Sequence, residues 1–175
     1  TIWSLRTLPT RLLVLGGGPI GCEMTQAFAR LGSRVTQVEM GPRLLSREDD
    51  DVAALVTRQF VVEGVDLRVD HRALRFERQG EEKVLVAEHS GNEVRIPFDA
   101  VLVAVGRAAR LKGFGLEELG IDTGKTVETN GFLQTKLPNI YAAGDVAGPY
   151  QFTNRAAHPA RDATGKEIGE RTSAL

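Results

Sequence analysis

The chain has almost no cysteine, no excess of either charge and no long apolar run, and each shortage removes a class of protein. Cys22 is the single cysteine in 175 residues, so no disulfide can close within the chain. No asparagine stands in a glycosylation sequon, and the two absences together point to a reducing, cytoplasmic setting. With 22 Lys and Arg against 23 Asp and Glu, the formal net charge is −1. That balance creates no long-range field to attract nucleic acid or an anionic membrane, and it favours a small-molecule partner. The longest apolar runs, such as residues 101–105, fall far short of the roughly 20 residues that cross a bilayer. The opening stretch TIWSLR carries neither a signal-peptide pattern nor an initiator Met, and it reads as the start of a piece of a longer chain. The three histidines, His71, His89 and His158, are scattered, which fits surface positions better than a metal site.

What the chain does have is 19 glycines and 42% hydrophobic residues, enough for one sizeable core. Residues 12–39 read LLVLGGGPIGCEMTQAFARLGSRVTQVE. An apolar strand at 11–15 without polar alternation suits a parallel strand covered on both faces. After the glycines, Ile20, Met24, Ala27, Phe28 and Leu31 recur at helical spacing, and Gly32 stops the helix. A second strand spans 35–40, and Gly41-Pro42 breaks it. Asp49, Asp50 and Asp51 open a helix to about residue 62, with Val52, Leu55, Val56 and Phe60 on one face and Gly64 as its stop. A third strand begins at 65–67.

From there the pattern changes to short alternating runs at 73–77, 83–88 and 93–98. They are separated by the turn signals Gln79-Gly80 and Ser90-Gly91-Asn92, which together predict an antiparallel meander in place of a helical crossover. Another buried strand follows at 100–105. Beyond Gly106 the expected elements are a short helix within 113–120, an irregular strand at 126–135 and a strand at 137–146 ending in Gly144-Asp145. A helical tail is expected from Thr153, with Pro159 starting, ending or kinking it.

The glycine turn carries the chemistry. Gly16 permits a tight exit from the strand, Gly18 leaves the backbone open to a pyrophosphate, and Gly21 lets the helix pack close to the sheet. The helix N-terminal amides then face the phosphates. Glu39 stands at the end of the second strand, where a carboxylate binds both ribose hydroxyls of an adenosine. The same charge repels a 2′-phosphate and favours NAD over NADP, with Arg43 near enough to weaken the preference. Strand, turn, helix, strand and carboxylate therefore make a dinucleotide-binding unit.

Other readings fail on spacing. Gly124-Lys125-Thr126 resembles the end of a P-loop, yet Leu119 occupies the position of the required earlier glycine. A methyl-donor site would prefer glycine at Ile20. A short-chain dehydrogenase needs Lys four residues after a Tyr, and Tyr141 and Tyr150 are followed there by Asp145 and Asn154. Cys22, in the first turn of the helix, reads as a small packing residue rather than a nucleophile.

With residues 12–39 stand two further motifs, VLVAVGR at 101–107 and IYAAGDVAG at 140–148. Together they resemble the central part of the flavin-dependent pyridine nucleotide-disulfide oxidoreductases, the family of dihydrolipoamide dehydrogenase, glutathione reductase and mercuric reductase. Residues 26–32 and 151–153 resemble the mercuric reductase-like branch. The resemblance implies an α/β fold, a Rossmann-like parallel sheet flanked by helices with the meander replacing one crossover. It divides the chain into a linker at 1–10, an NAD-binding domain at 11–125 and part of an FAD domain with a tail at 126–175.

Carried onto this sequence, the resemblance implies that Gly16, Gly18, Pro19, Ile20 and Gly21 hold the NAD pyrophosphate and Glu39 the ribose. Ala73 would lie beside the adenine and Gly106 near the nicotinamide half. Glu23 matches a carboxylate that pairs with a lysine beside the flavin, a lysine this chain does not contain. Gly144 and Asp145 match the flavin ribityl contact, with Val146 and Thr153 beside it. Asn154 and Pro159 depart from the family pattern. By the resemblance, the family's N-terminal FAD domain, with its cysteine pair, and its C-terminal dimerisation domain are expected to lie outside this sequence. The implied parent is a homodimer that passes hydride from NADH to FAD, and this chain alone is expected to be inactive. The alternative is a nucleotide-sensing Rossmann module without redox activity.

Overall fold

The computed structural model describes residues 2–147. The chain divides into two compact units, Thr1–Gly106 and Arg107–Leu175, the division falling earlier than the boundary at residue 125 read from the sequence.

In the first unit, strand β1 (Arg11–Leu15) leads through the glycine turn into helix α1 (Pro19–Arg30), then strand β2 (Arg34–Val38), helix α2 (Asp50–Val62) and strand β3 (Asp66–Arg68). Three antiparallel strands follow, β4 (Arg72–Gln79), β5 (Glu82–His89) and β6 (Asn92–Phe98), and β7 (Ala100–Val103) closes the unit. The parallel sheet runs β3-β2-β1-β7, and the meander is a separate sheet ordered β4-β5-β6. Strand order thus advances outward from β1 on one side and jumps to β7 on the other. The crevice for a ligand in such a sheet lies beyond the carboxyl end of β1, where the glycine turn begins.

The continuous apolar run of β1 has a direct cause. Leu13 packs with Val38, Leu85, Ala87, Ile96 and Phe98, which come from β2 and the meander. Its neighbours Leu12 and Val14 pack with Phe28 of α1 and Val35. Alternate side chains enter opposite cores, so neither face of the strand's middle meets water. A third cluster joins Cys22, Leu44, Phe60 and Val65. The hairpin between β5 and β6 turns through Ser90 and Gly91, both at positive φ (51° and 79°), the geometry that matches strand twist in a two-residue turn.

Within the helices the buried side differs from the apolar spacing. In α1 the buried residues are Gly21, Cys22, Thr25 and Phe28, while Ile20 and Leu31 are 56% and 67% exposed. In α2, Ala53 and Phe60 are buried, and Val52 and Leu55 are exposed. Small residues let α1 approach the glycine turn, and that approach sets its rotation.

The second unit has its own cluster of Ile121, Val127 and Ala142. Its expected regular elements do not form among the described residues. The segment at 113–120 is a run of turns rather than a helix, with Ile121 N–H donating to Leu116 C=O and Gly120 at φ 65°. So few residues between glycines cannot repay helix nucleation. Residues 126–135 make only isolated bridges, Thr123 with Val127 and Gln134 with Tyr141. The Asn130 side-chain carbonyl accepts the N–H groups of Phe132 and Gln134, a local turn that replaces ladder pairing. The strand expected at 137–146 is likewise reduced to the Tyr141 bridge and a 3-10 turn at Gly144–Ala147. Pro138 lacks the N–H a ladder needs. The expected tail from Thr153 lies outside the described residues.

Candidate functional site: the glycine turn

The four glycines of the turn do different work. Gly16 has φ 111°, and a Cβ there would lie 2.4 Å from the Ala104 carbonyl oxygen beyond β7. At Gly17 a Cβ would meet the Glu39 side chain at 2.8 Å and Leu44 at 2.9 Å. At Gly21 it would lie 2.2 Å from the Gly16 oxygen. These three are glycine because protein surrounds them. Gly18 has ordinary extended geometry (φ −77°, ψ 178°), and nothing stands within 4 Å of where its Cβ would be.

Gly18 is also the N-cap of α1 and supplies no side chain to its amides. The first intrahelical bond runs from Cys22 N–H to Gly18 C=O at 3.0 Å. Pro19 at the first helical position has no N–H to offer, so the amides of Ile20 and Gly21 lead the helix, with its positive dipole end behind them. No acidic residue sits in that first turn.

Glu39, the residue after β2, closes the site. One carboxylate oxygen accepts Gly17 N–H at 2.5 Å and the other accepts Gly41 N–H at 2.7 Å. Its backbone is fixed as well, with Glu39 N–H to Arg68 C=O and His71 N–H to Glu39 C=O. Each carboxylate oxygen can accept a further bond, so the arrangement fits a ribose hydroxyl pair. Arg43 donates to the carbonyls of Leu45, Ser46 and Glu48 and pairs with Asp50, which commits its guanidinium to the loop before α2.

The other sequence-assigned residues are placed as follows. Ala73 is half-buried on β4, at a register shift between Ala73 and Arg75, and packs on the Leu13 and Val38 cluster. Gly106 (φ 132°) ends the first unit two residues past the Ala104 carbonyl that abuts Gly16. Glu23 is exposed on α1. Gly144 and Asp145 belong to the second unit, where Asp145 pairs with Arg107 at 2.7 Å. Thr153 lies outside the described residues. Cys22 is buried, its Sγ donates to Gly17 C=O at 3.5 Å, and burial pushes the thiol pKa up, as a packing role requires. His71 is buried and stacks on His89 with ring centroids 4.2 Å apart. Among the described residues no cluster of His, Cys, Asp or Glu could hold a metal, and no helix is long and apolar enough to cross a membrane.

Two participants went unread in the sequence. Gly17 has no role in the motif spacing, although its amide holds Glu39. Gln37 is fully buried in β2 and donates to Gly16 C=O at 3.0 Å. Its signal was a long polar side chain at the strand position two after Val35, on the face that Val35 buries.

Known proteins resemble this chain in sequence and fold. A family model described as "Pyridine nucleotide-disulphide oxidoreductase" matches residues 1–163. A dihydrolipoyl dehydrogenase of Bacillus subtilis is 38% identical over 170 residues, covering 94% of this chain and 37% of that protein. A mercuric reductase of Lysinibacillus sphaericus is 36% identical over 171 residues, covering 97% and 31%. Among solved structures, the Cu(II) complex of the HOCl-induced flavoprotein disulfide reductase RclA from Escherichia coli superposes with a TM-score of 0.87. It is 32% identical and the match covers 97% of this chain and 39% of that one. The chain therefore spans about a third of the length of the curated relatives it matches. From fold, turn and matched length alike, the chain belongs to the pyridine nucleotide-disulphide oxidoreductase family.

Proposed function

We propose that the glycine turn binds NAD(H), and that in a longer enzyme this chain presents the nicotinamide to a flavin. Gly18 carries the reading. Its neighbours are glycine because protein crowds them, whereas Gly18 faces open space in a conformation any residue could adopt. A ligand backbone passing over it accounts for the missing side chain. The Ile20 and Gly21 amides would hold the pyrophosphate and Glu39 the adenosine ribose. Ala73 would border the adenine, and Gly106 would border the nicotinamide half. The commitment of Arg43 to loop carbonyls supports NAD over NADP.

NADH when bound supplies a hydride, and the protein's part is to orient it. In the parent enzyme FAD would receive that hydride, with Asp145, braced by Arg107, accepting a ribityl hydroxyl beside Gly144, and Thr153 nearby. Glu23 would face a lysine on a flavin domain outside this chain. On this assignment residues 11–125 serve the nicotinamide, and 126–175 belong to the flavin side of a homodimeric parent. The chain alone would be inactive.

Calorimetric titration with NAD and NADP tests the reading, with NAD binding the tighter of the two. Failure of both to bind would overturn it. A purified protein that is yellow and oxidises NADH with a dye acceptor would instead contradict the inactive-fragment part.

A further inference from the structure

We infer that Gln37 is a positioning residue for the pyrophosphate site, an amide set beneath the glycine turn to hold its backbone in the ligand-ready shape. That role rests on dinucleotide binding at the turn. Gln37 is fully buried. Its Nε2 donates to Gly16 C=O at 3.0 Å, with Cys22 Sγ a second, longer acceptor at 3.7 Å. It also approaches Gly21, whose added Cβ would stand 3.2 Å from the same nitrogen. One side-chain nitrogen thus meets the first glycine of the turn, the last glycine of the turn and the first turn of α1.

The other end of the same amide has no partner. Oε1 of Gln37 is buried without a hydrogen bond, and so is Oγ1 of Thr25 on α1. A buried polar atom left unpaired destabilises the fold. An apolar residue at this position would bring no such loss, as Val35 and Val38 on the same strand illustrate. Packing therefore does not account for glutamine here. The bond to Gly16 does, because that carbonyl lies at the pivot from β1 into the turn, and its orientation fixes the peptide planes leading to Gly18. A turn already held in its binding shape loses less freedom when a pyrophosphate arrives.

The test separates positioning from stability. Gln37→Met keeps the length and apolar contacts but removes both the donor and the unpaired oxygen. Gln37→Val, matching its strand neighbours, is a second variant should the first fail to fold. Thr25→Val removes the other unpaired oxygen and leaves the turn alone. NAD is titrated calorimetrically into each, and urea unfolding is followed in parallel. The expected result is an NAD affinity reduced roughly tenfold in the Gln37 variants, the equivalent of one hydrogen bond's worth of pre-organisation. The variants lose the unpaired Oε1 but leave the Gly16 carbonyl without its donor, so their unfolding midpoint should move little, and Thr25→Val should bind as the unaltered chain does. Unchanged affinity at Gln37, or affinity lost only in step with stability in both variants, overturns the inference. If the unaltered chain binds no NAD, the nucleotide reading itself fails, visibly and before any substitution is compared.

Discussion

One methyl group at Gly21 sets two effects against each other. Alanine is the better helix former by about 0.5–1 kcal/mol, yet its Cβ would lie 2.2 Å from the Gly16 carbonyl oxygen. Backbone cannot move aside as a side-chain end can, and overpacking of this kind costs about 1–3 kcal/mol or more. Gly21→Ala is therefore expected to destabilise, read as a lower urea midpoint at unchanged slope. A neutral or stabilised variant would show that α1 does not press on the turn. The motif spacing made the roles of Gly16 and Gly21 legible, because both follow from how a strand must pass into a helix. Gly17 and Gln37 were not legible, since their roles exist only once β2 brings Glu39 and the buried amide against the turn.

Between elements, one polar junction joins the two helices. Glu63, the C-cap residue of α2, accepts from Arg30 at 2.6 Å, from Gln26 at 3.1 Å and from Gln59 at 2.7 Å. The Arg30 guanidinium first, then Gln59, hold its carboxyl below the ordinary value of 4.5. A depressed folded-state pKa means the stabilisation is complete above the unfolded value and is lost as pH falls through the folded one. Glu63→Gln should lower the melting temperature at neutral pH and flatten its decline below about pH 4.5. Melts of both proteins at pH 7 and pH 3 measure this, and parallel pH profiles would refute the junction. Helix and strand order in the first unit was readable because most elements have a clear hydrophobic pattern and many are followed by a glycine, as α1 is by Gly32 and α2 by Gly64. The rotation of α1 was not, because Ile20 and Leu31 match the helical period but lie outward. The elements of the second unit failed for a related reason: short runs between glycines, Pro138 and Asn130 close local turns before any ladder forms.

For the whole molecule, the first unit holds a four-stranded parallel sheet with the glycine turn at its crevice, while the family relatives extend to about three times this length. What the chain does by itself therefore reduces to whether the turn accepts a dinucleotide over Gly18. Gly18→Thr addresses this most directly. Threonine caps a helix about as well as glycine, and no protein atom lies within 4 Å of its Cβ position, so the fold has no reason to change. Its side chain would, however, occupy the path of the pyrophosphate and its hydroxyl would compete for the first-turn amides. Calorimetric titration of NAD into both proteins should give binding to the unaltered chain and at least a roughly tenfold weaker constant for Gly18→Thr, with equal unfolding midpoints. Equal NAD affinity in the two proteins would contradict the assignment of Gly18 to the ligand.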